Sequence, residues 1–177
     1  MARARKRLPL TVSRPALLAA GSDGEFRGLI HDLIAYGHRL DACRDAFAAI
    51  VGISGAQYEI LMLVSRADGL SIGEVAARLH RSGAFITVEA NGLVERGILE
   101  KASDPADGRR VLLRRNSRSF ELLNRLAPFQ VRINDVLFER LDARRFRELR
   151  LLARDLVASG DRAVAMLELL MHEAKAA

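Results

Sequence analysis

The sequence predicts a mainly α-helical fold with one small β-hairpin. Three observations carry that expectation. Apolar residues recur at helical spacing over most of the 177 residues. The apolar period shortens to two only between Ile98 and Leu113. Two short, well-capped helices immediately precede that change. A chain of this length builds a core without disulfides or structural metal. Half of its residues are hydrophobic, which excludes whole-chain disorder. One cysteine, Cys43, excludes a disulfide scaffold. The longest apolar runs, such as 46–53, fall short of the ~20 residues that cross a bilayer.

The elements follow in order. Residues 1–24 form a basic arm, expected to be flexible. Its apolar stretch 16–20 is too short for an export signal and follows Arg14 and Pro15. With no such signal and one unpaired cysteine, the cytoplasm is the expected compartment. From 25 to 52, Phe26, Leu29, Ile30, Leu33, Ile34, Leu40, Phe47 and Ile50 mark one long helix closed by Gly52. Its continuous apolar stripe suits packing on other long helices. Ser54 caps a short helix whose apolar positions are Tyr58, Leu61, Met62 and Val64. Ser71 and Glu74 then form a capping box for a helix of about two turns. His80-Arg81 turns the chain, and Ser82 caps a further helix. There Phe85, Ile86, Ala90, Leu93 and Val94 are the expected buried side. Strands are expected at 98–101 and 111–113, around the turn signals Asp104-Pro105 and Asp107-Gly108. Helical spacing returns over 117–177. Pro128 is expected to kink or break it, and Gly160-Asp161 to interrupt it.

Charge is unevenly placed. Residues 1–14 carry five bases and no acid, and 71–118 carry nine bases against six acids. Residues 15–70 are acidic, with four bases against seven acids, and 119–177 are nearly balanced. The net +6 therefore lies on the arm and on one central block.

That block, 53–116, reads as a winged helix-turn-helix. The helix after the turn is slim enough for a DNA major groove, where base edges show a distinct donor and acceptor pattern. Its expected outer face is Ser82, Gly83, Ala84, Thr87, Val88 and Asn91. Asn91 has the geometry for a bidentate contact to adenine, and Val88 for a thymine methyl. At the hairpin tip, Arg109 and Arg110 suit a narrow minor groove, with Asp107 holding the Arg109 guanidinium. Arg81, Lys101, Arg114 and Arg115 are candidate phosphate contacts.

These residues resemble the MarR family of winged-helix transcriptional regulators. The resemblance rests on LSIGEVAARL (70–79), LVERGILEK (93–101) and DPADGRRVLL (104–113). It implies a homodimer held by interlocking helices at 25–52 and 117–177, bound to a palindromic duplex operator. It also implies a repressor relieved by a small, often aromatic, effector. Val88 stands where many members carry Arg, and Ala106 where many carry a base.

Other constellations are weaker. His31, Tyr36, His38, Arg39 and Tyr58 are candidates for an effector pocket. His31 and His38 lie about 10.5 Å apart along a helix, too far to share one metal, so no metal site and no cofactor are expected. Cys43 beside Arg44 reads as packing, and no catalytic motif is present. The expectation is a DNA-binding regulator, not an enzyme. The alternative is a helical dimer whose winged domain binds a protein partner.

Overall fold

The structure is a computed structural model and describes residues 8–67 and 69–176. Most of the basic residues of the arm, Arg3, Arg5, Lys6 and Arg7, lie outside the described residues, as does Asp68. A 3₁₀ turn at Pro15–Leu17 precedes α1 (Gly24–Ile50) and α2 (Gly55–Ser65). Then come β1 (Leu70–Ser71), α3 (Ile72–Leu79), α4 (Gly83–Glu95), β2 (Leu99–Ser103) and β3 (Val111–Arg115). Helices α5 (Ser117–Leu137) and α6 (Ala143–Ala176) close the chain. It divides into two compact units, Met1–Val131 and Arg132–Ala177, and α5 runs across the division.

In the first unit the core gathers Ile60, Leu61 and Val64 of α2, Val75 of α3, and Ile86, Ala90 and Leu93 of α4. Ile98, Leu99 and Leu113 complete it from the wing. Each is essentially fully buried, which contributes about 1.5–3 kcal/mol for a Val, Leu or Ile side chain. The caps act as the sequence predicts. Ser54 and Gln57 form a capping box on α2, and Ser71 and Glu74 form one on α3. Ser82 accepts from the Phe85 N–H at the start of α4. His80 closes α3 in the left-handed region, at φ 50°, so the chain turns sharply into α4.

The sheet has three antiparallel strands in the order β1-β3-β2. The sequence predicts only the hairpin. The third strand is the pair Leu70 and Ser71, set against Leu113 and Leu112. Ser71 therefore ends a strand and caps a helix at once, tying the wing to α3. The start of α5 is fixed by Ser119, a buried hydroxyl that donates to the Ile98 carbonyl. Asn116 and Ser119 cap one another reciprocally, and the Asn116 amide donates to the Gly97 carbonyl at 3.1 Å.

Two expectations need correction. Helix α5 runs through Pro128 unbroken. Pro128 and Asn124 are both exposed, so water can reach the Asn124 carbonyl that lacks its helical donor. Helix α6 runs unbroken through Gly160 and Asp161. A glycine in an exposed helix costs about 1 kcal/mol, too little to stop so long a helix. In the arm, Pro9 and Thr11 are hydrogen-bonded to Arg27 and Asp23 at the start of α1. Asp23 is buried there and accepts from the Thr11 N–H at 2.8 Å, the Thr11 hydroxyl at 2.7 Å and Arg27 Nε at 3.0 Å. Arg27 also donates to the Pro9 carbonyl.

The Arg27 and Thr11 hydrogen bonds hold the Asp23 carboxyl well below its ordinary value of 3.8. Its stabilisation is complete above that ordinary value and is lost as pH falls below it, toward the lower folded value. The segment 8–22 is therefore expected to loosen in acid. Protection of the Thr11 amide from exchange, followed from neutral pH downward, should diminish once pH passes below 3.8. In Asp23→Asn that acid-dependent step should be absent, and a step that persists would assign it to another group.

In the second unit α6 is capped by Asp142, which accepts from the Arg145 N–H at 2.8 Å. Every described α6 side chain is exposed, apolar ones included.

Candidate nucleic-acid interface

Helix α4 buries Ile86, Ala90 and Leu93 and turns the opposite side outward. That outer side holds Ser82, Gly83, Ala84, Thr87 and Val88, all exposed as the sequence predicts. The face is slim. A Cβ placed on Gly83 would meet nothing within 4 Å, and Val88 is 69% exposed. The Thr87 hydroxyl donates to the Gly83 carbonyl at 2.8 Å, which leaves its lone pairs for an incoming donor. Phe85 was expected inside and is 40% exposed, with the Arg81 guanidinium 5.7 Å above its ring. It falls at the very start of the helix, beyond the reach of the core. Arg81 and Phe85 therefore join this face.

Asn91 and Lys101 are placed differently from expectation. Asn91 is half-buried, and its side-chain oxygen accepts from Lys101 Nζ at 2.8 Å. The pair links α4 to β2. In this arrangement one lone pair of that oxygen and part of the Lys101 charge are already engaged.

At the tip of the wing Asp107 does not hold the Arg109 guanidinium. Its carboxylate accepts from the Arg109 backbone N–H at 3.1 Å, and its carbonyl accepts from the Arg110 N–H at 2.8 Å. A short Asp side chain closing its own turn wins over a reach to a flexible guanidinium. The two arginines also part ways. Arg110 donates to Glu74 of α3 at 3.2 Å and lies 3.6 Å from Asp104. Among the described residues no partner is recorded for the Arg109 guanidinium, which stands exposed on the tip.

The remaining candidate phosphate contacts divide. Arg115 donates to the Ser65 carbonyl at 2.9 Å and stacks on Phe120 at 4.9 Å. Arg114 is half-buried beside Gly69. Arg81 alone of the four remains on the outer face of the helix-turn-helix.

The five effector candidates are not brought together. His31, His38 and Arg39 are exposed along α1, and Tyr36 is half-buried on it. Of the five, Tyr58 lines a groove of about 350 Å³ between α1, α2 and the end of α3. Leu40, Arg44, Met62 and Leu79 line it too. Tyr58 accepts from Gln130 at 2.8 Å and packs on Phe47, and burial pushes its phenol up. Arg44 is held by Asp41, Asp45 and Glu59, so the groove is charged at one edge and apolar at the other. The sequence missed the groove because Arg44 and its partner Glu59 sit on separate helices. Among the described residues no group of three His, Cys, Asp or Glu side chains could hold a metal ion. None of the described helices is, by itself, long and apolar enough to cross a membrane.

The order capped α3, left-handed turn, slim α4 and Arg-tipped ribbon is decided by comparison with known proteins. Residues 51–110 match the MarR family model. This segment is a MarR-family winged helix. Helices outside it share the likeness. A crystal structure of MarR, 25% identical, superposes with a TM-score of 0.55 over 77% of this chain and 90% of that one. The PcaV transcriptional regulator from Streptomyces coelicolor, solved with its natural ligand, is 26% identical, with a TM-score of 0.53 over 70% of this chain and 90% of that one. A MarR mutant from E. coli complexed with operator DNA is 19% identical, with a TM-score of 0.60 over 75% and 95% of the two chains. No curated protein matches by sequence. The chain thus has the fold of MarR-family transcriptional regulators.

Proposed function

We propose that this MarR-family chain is a sequence-specific DNA-binding transcriptional repressor that acts as a homodimer. The observation that carries the reading is the free, exposed Arg109 on a turn-locked wing beside a small-residue recognition face. Ser82, Gly83, Ala84, Thr87 and Val88 would enter the major groove, and Arg109 a flanking minor groove. Arg81 would add a phosphate contact. The mutant MarR structure with operator DNA supports this use of the fold.

The dimer is supported by apolar faces left uncovered in each unit. On α1 Leu29, Leu33 and Ile34 are 46–56% exposed, and on α6 Leu152, Leu156 and Leu167 are 55–59% exposed. A second copy would bury such faces. The α1–α2–α3 groove, with Tyr58 as its phenol and Arg44 at its rim, is the proposed effector site. PcaV, solved with its natural ligand, supports a small-molecule effector. Relief of repression follows if the effector biases the angle of α2 against α1.

A second reading is favoured by Val88 and Phe85, which put apolar surface on the recognition face. It makes the winged domain a dock for a protein partner. Titrating a random-sequence duplex decides between the two. Binding at ~20 mM salt that weakens steeply as salt rises supports the DNA reading, because phosphate contacts release counterions. No binding at that salt supports the protein partner.

A further inference from the structure

We propose that Arg110 is a positioning residue that latches the wing to α3, so that its neighbour Arg109 alone is presented to DNA. The proposal rests on the DNA-binding reading above. It begins with the tip. Beyond Val111 the wing has no ladder partner, and its neck is closed by the Asp104 N–H donating to the Arg110 carbonyl at 2.9 Å. Within the loop, Asp104 accepts from the Ala106 N–H and Asp107 from the Arg109 N–H. These bonds fix the turn's own shape and do not fix where the turn points. The Arg110 side chain supplies that anchor, reaching 36 residues back to Glu74 and across to Asp104.

Glu74 is a prepared partner. One oxygen of its carboxylate accepts from the Ser71 N–H at 2.8 Å, the Ser71 hydroxyl at 2.7 Å and Arg110 at 3.2 Å. The capping box has therefore already ordered this side chain, so Arg110 pays little of the entropy that weakens most surface ion pairs. The same carboxylate starts α3, which braces the recognition helix. One group thus couples the helix-turn-helix to the wing.

A different role for Arg110 has an opposite signature. If Arg110 were itself a phosphate contact, Glu74 would compete with DNA for it. Releasing it would then tighten binding. Glu74→Gln separates the two roles, because a glutamine oxygen keeps the capping box but leaves only a neutral bond to Arg110.

The experiment compares the full chain with Glu74→Gln, Arg110→Gln and the double variant, using duplex selected by the wild type. The latch predicts that both single variants lose about two- to fivefold in affinity. It predicts an unchanged salt slope, and a double variant no worse than either single one. Tighter binding by Glu74→Gln, or a salt slope shallower by about 0.9 in Arg110→Gln, would assign Arg110 to phosphate and overturn the latch. Amide exchange in the free protein tests the latch without DNA. The Ala106, Arg109 and Arg110 amides should exchange faster in both single variants, and unchanged exchange overturns it. If the wild type binds no duplex even at ~20 mM salt, the DNA reading fails and the exchange result still decides the latch.

Discussion

Replacing Arg109 with Ala will weaken binding to the selected duplex by about 1–3 kcal/mol in each half-site. Gly108 and the Asp107 turn place Arg109 at the exposed extremity of the ribbon, and among the described residues its guanidinium has no partner, whereas that of Arg110 is paired with Glu74. A narrow minor groove concentrates negative potential where such a side chain would enter. In a dimer two wings are lost together, so independent half-sites double the effect. The slope of log affinity against log salt should also fall, by about 0.9 for each phosphate charge no longer met. Fluorescence anisotropy at several salt concentrations reads both quantities. Undiminished affinity would remove the wing from the mechanism, leaving α4 alone to recognise DNA.

Introducing Glu at both Leu156 and Leu167 should convert the proposed dimer to a monomer. The two residues lie eleven apart on α6, three helical turns, and so share one face. They are 57% and 55% exposed, so neither serves the core of its own chain. Two negative charges buried against a second copy would carry a desolvation penalty that no partner relieves. The winged domain should keep its fold, because its core contains no α6 residue. Light scattering should give the mass of one chain, with an unchanged circular dichroism spectrum. Affinity for a two-half-site duplex should fall by about 10²–10⁴, the avidity that linking two modules provides. A variant that stays dimeric would place the interface elsewhere.

Much of the winged domain was legible because its signals are local. The Ser71 and Glu74 capping box lies within one turn, and the change of period at Ile98 lies within four residues. What escaped the sequence was set by partners distant along the chain. β1 is two residues long, and only pairing with Leu112 and Leu113 makes it a strand. Arg110 looks like Arg109 until Glu74 is brought alongside it. Asn91 looks unpartnered in the sequence, and only the approach of β2 brings Lys101 onto its oxygen. Pro128 and Gly160 do not end their helices of 21 and 34 residues, because the glycine costs only about 1 kcal/mol and the larger proline penalty falls on an exposed turn where water reaches the orphaned carbonyl. The exposed side of α4 was legible in the main, since Ile86, Ala90 and Leu93 fix which side faces the core, but Phe85 and Asn91 at its margins were not.

The central claim is that two copies of this winged helix read one duplex together. Selection of bound duplexes from a random pool tests it most directly. The account predicts a palindrome whose half-sites are centred about one helical turn, 10–10.5 base pairs, or a multiple of it apart. Recovery of no preferred sequence, or of a single unrepeated half-site, would contradict it.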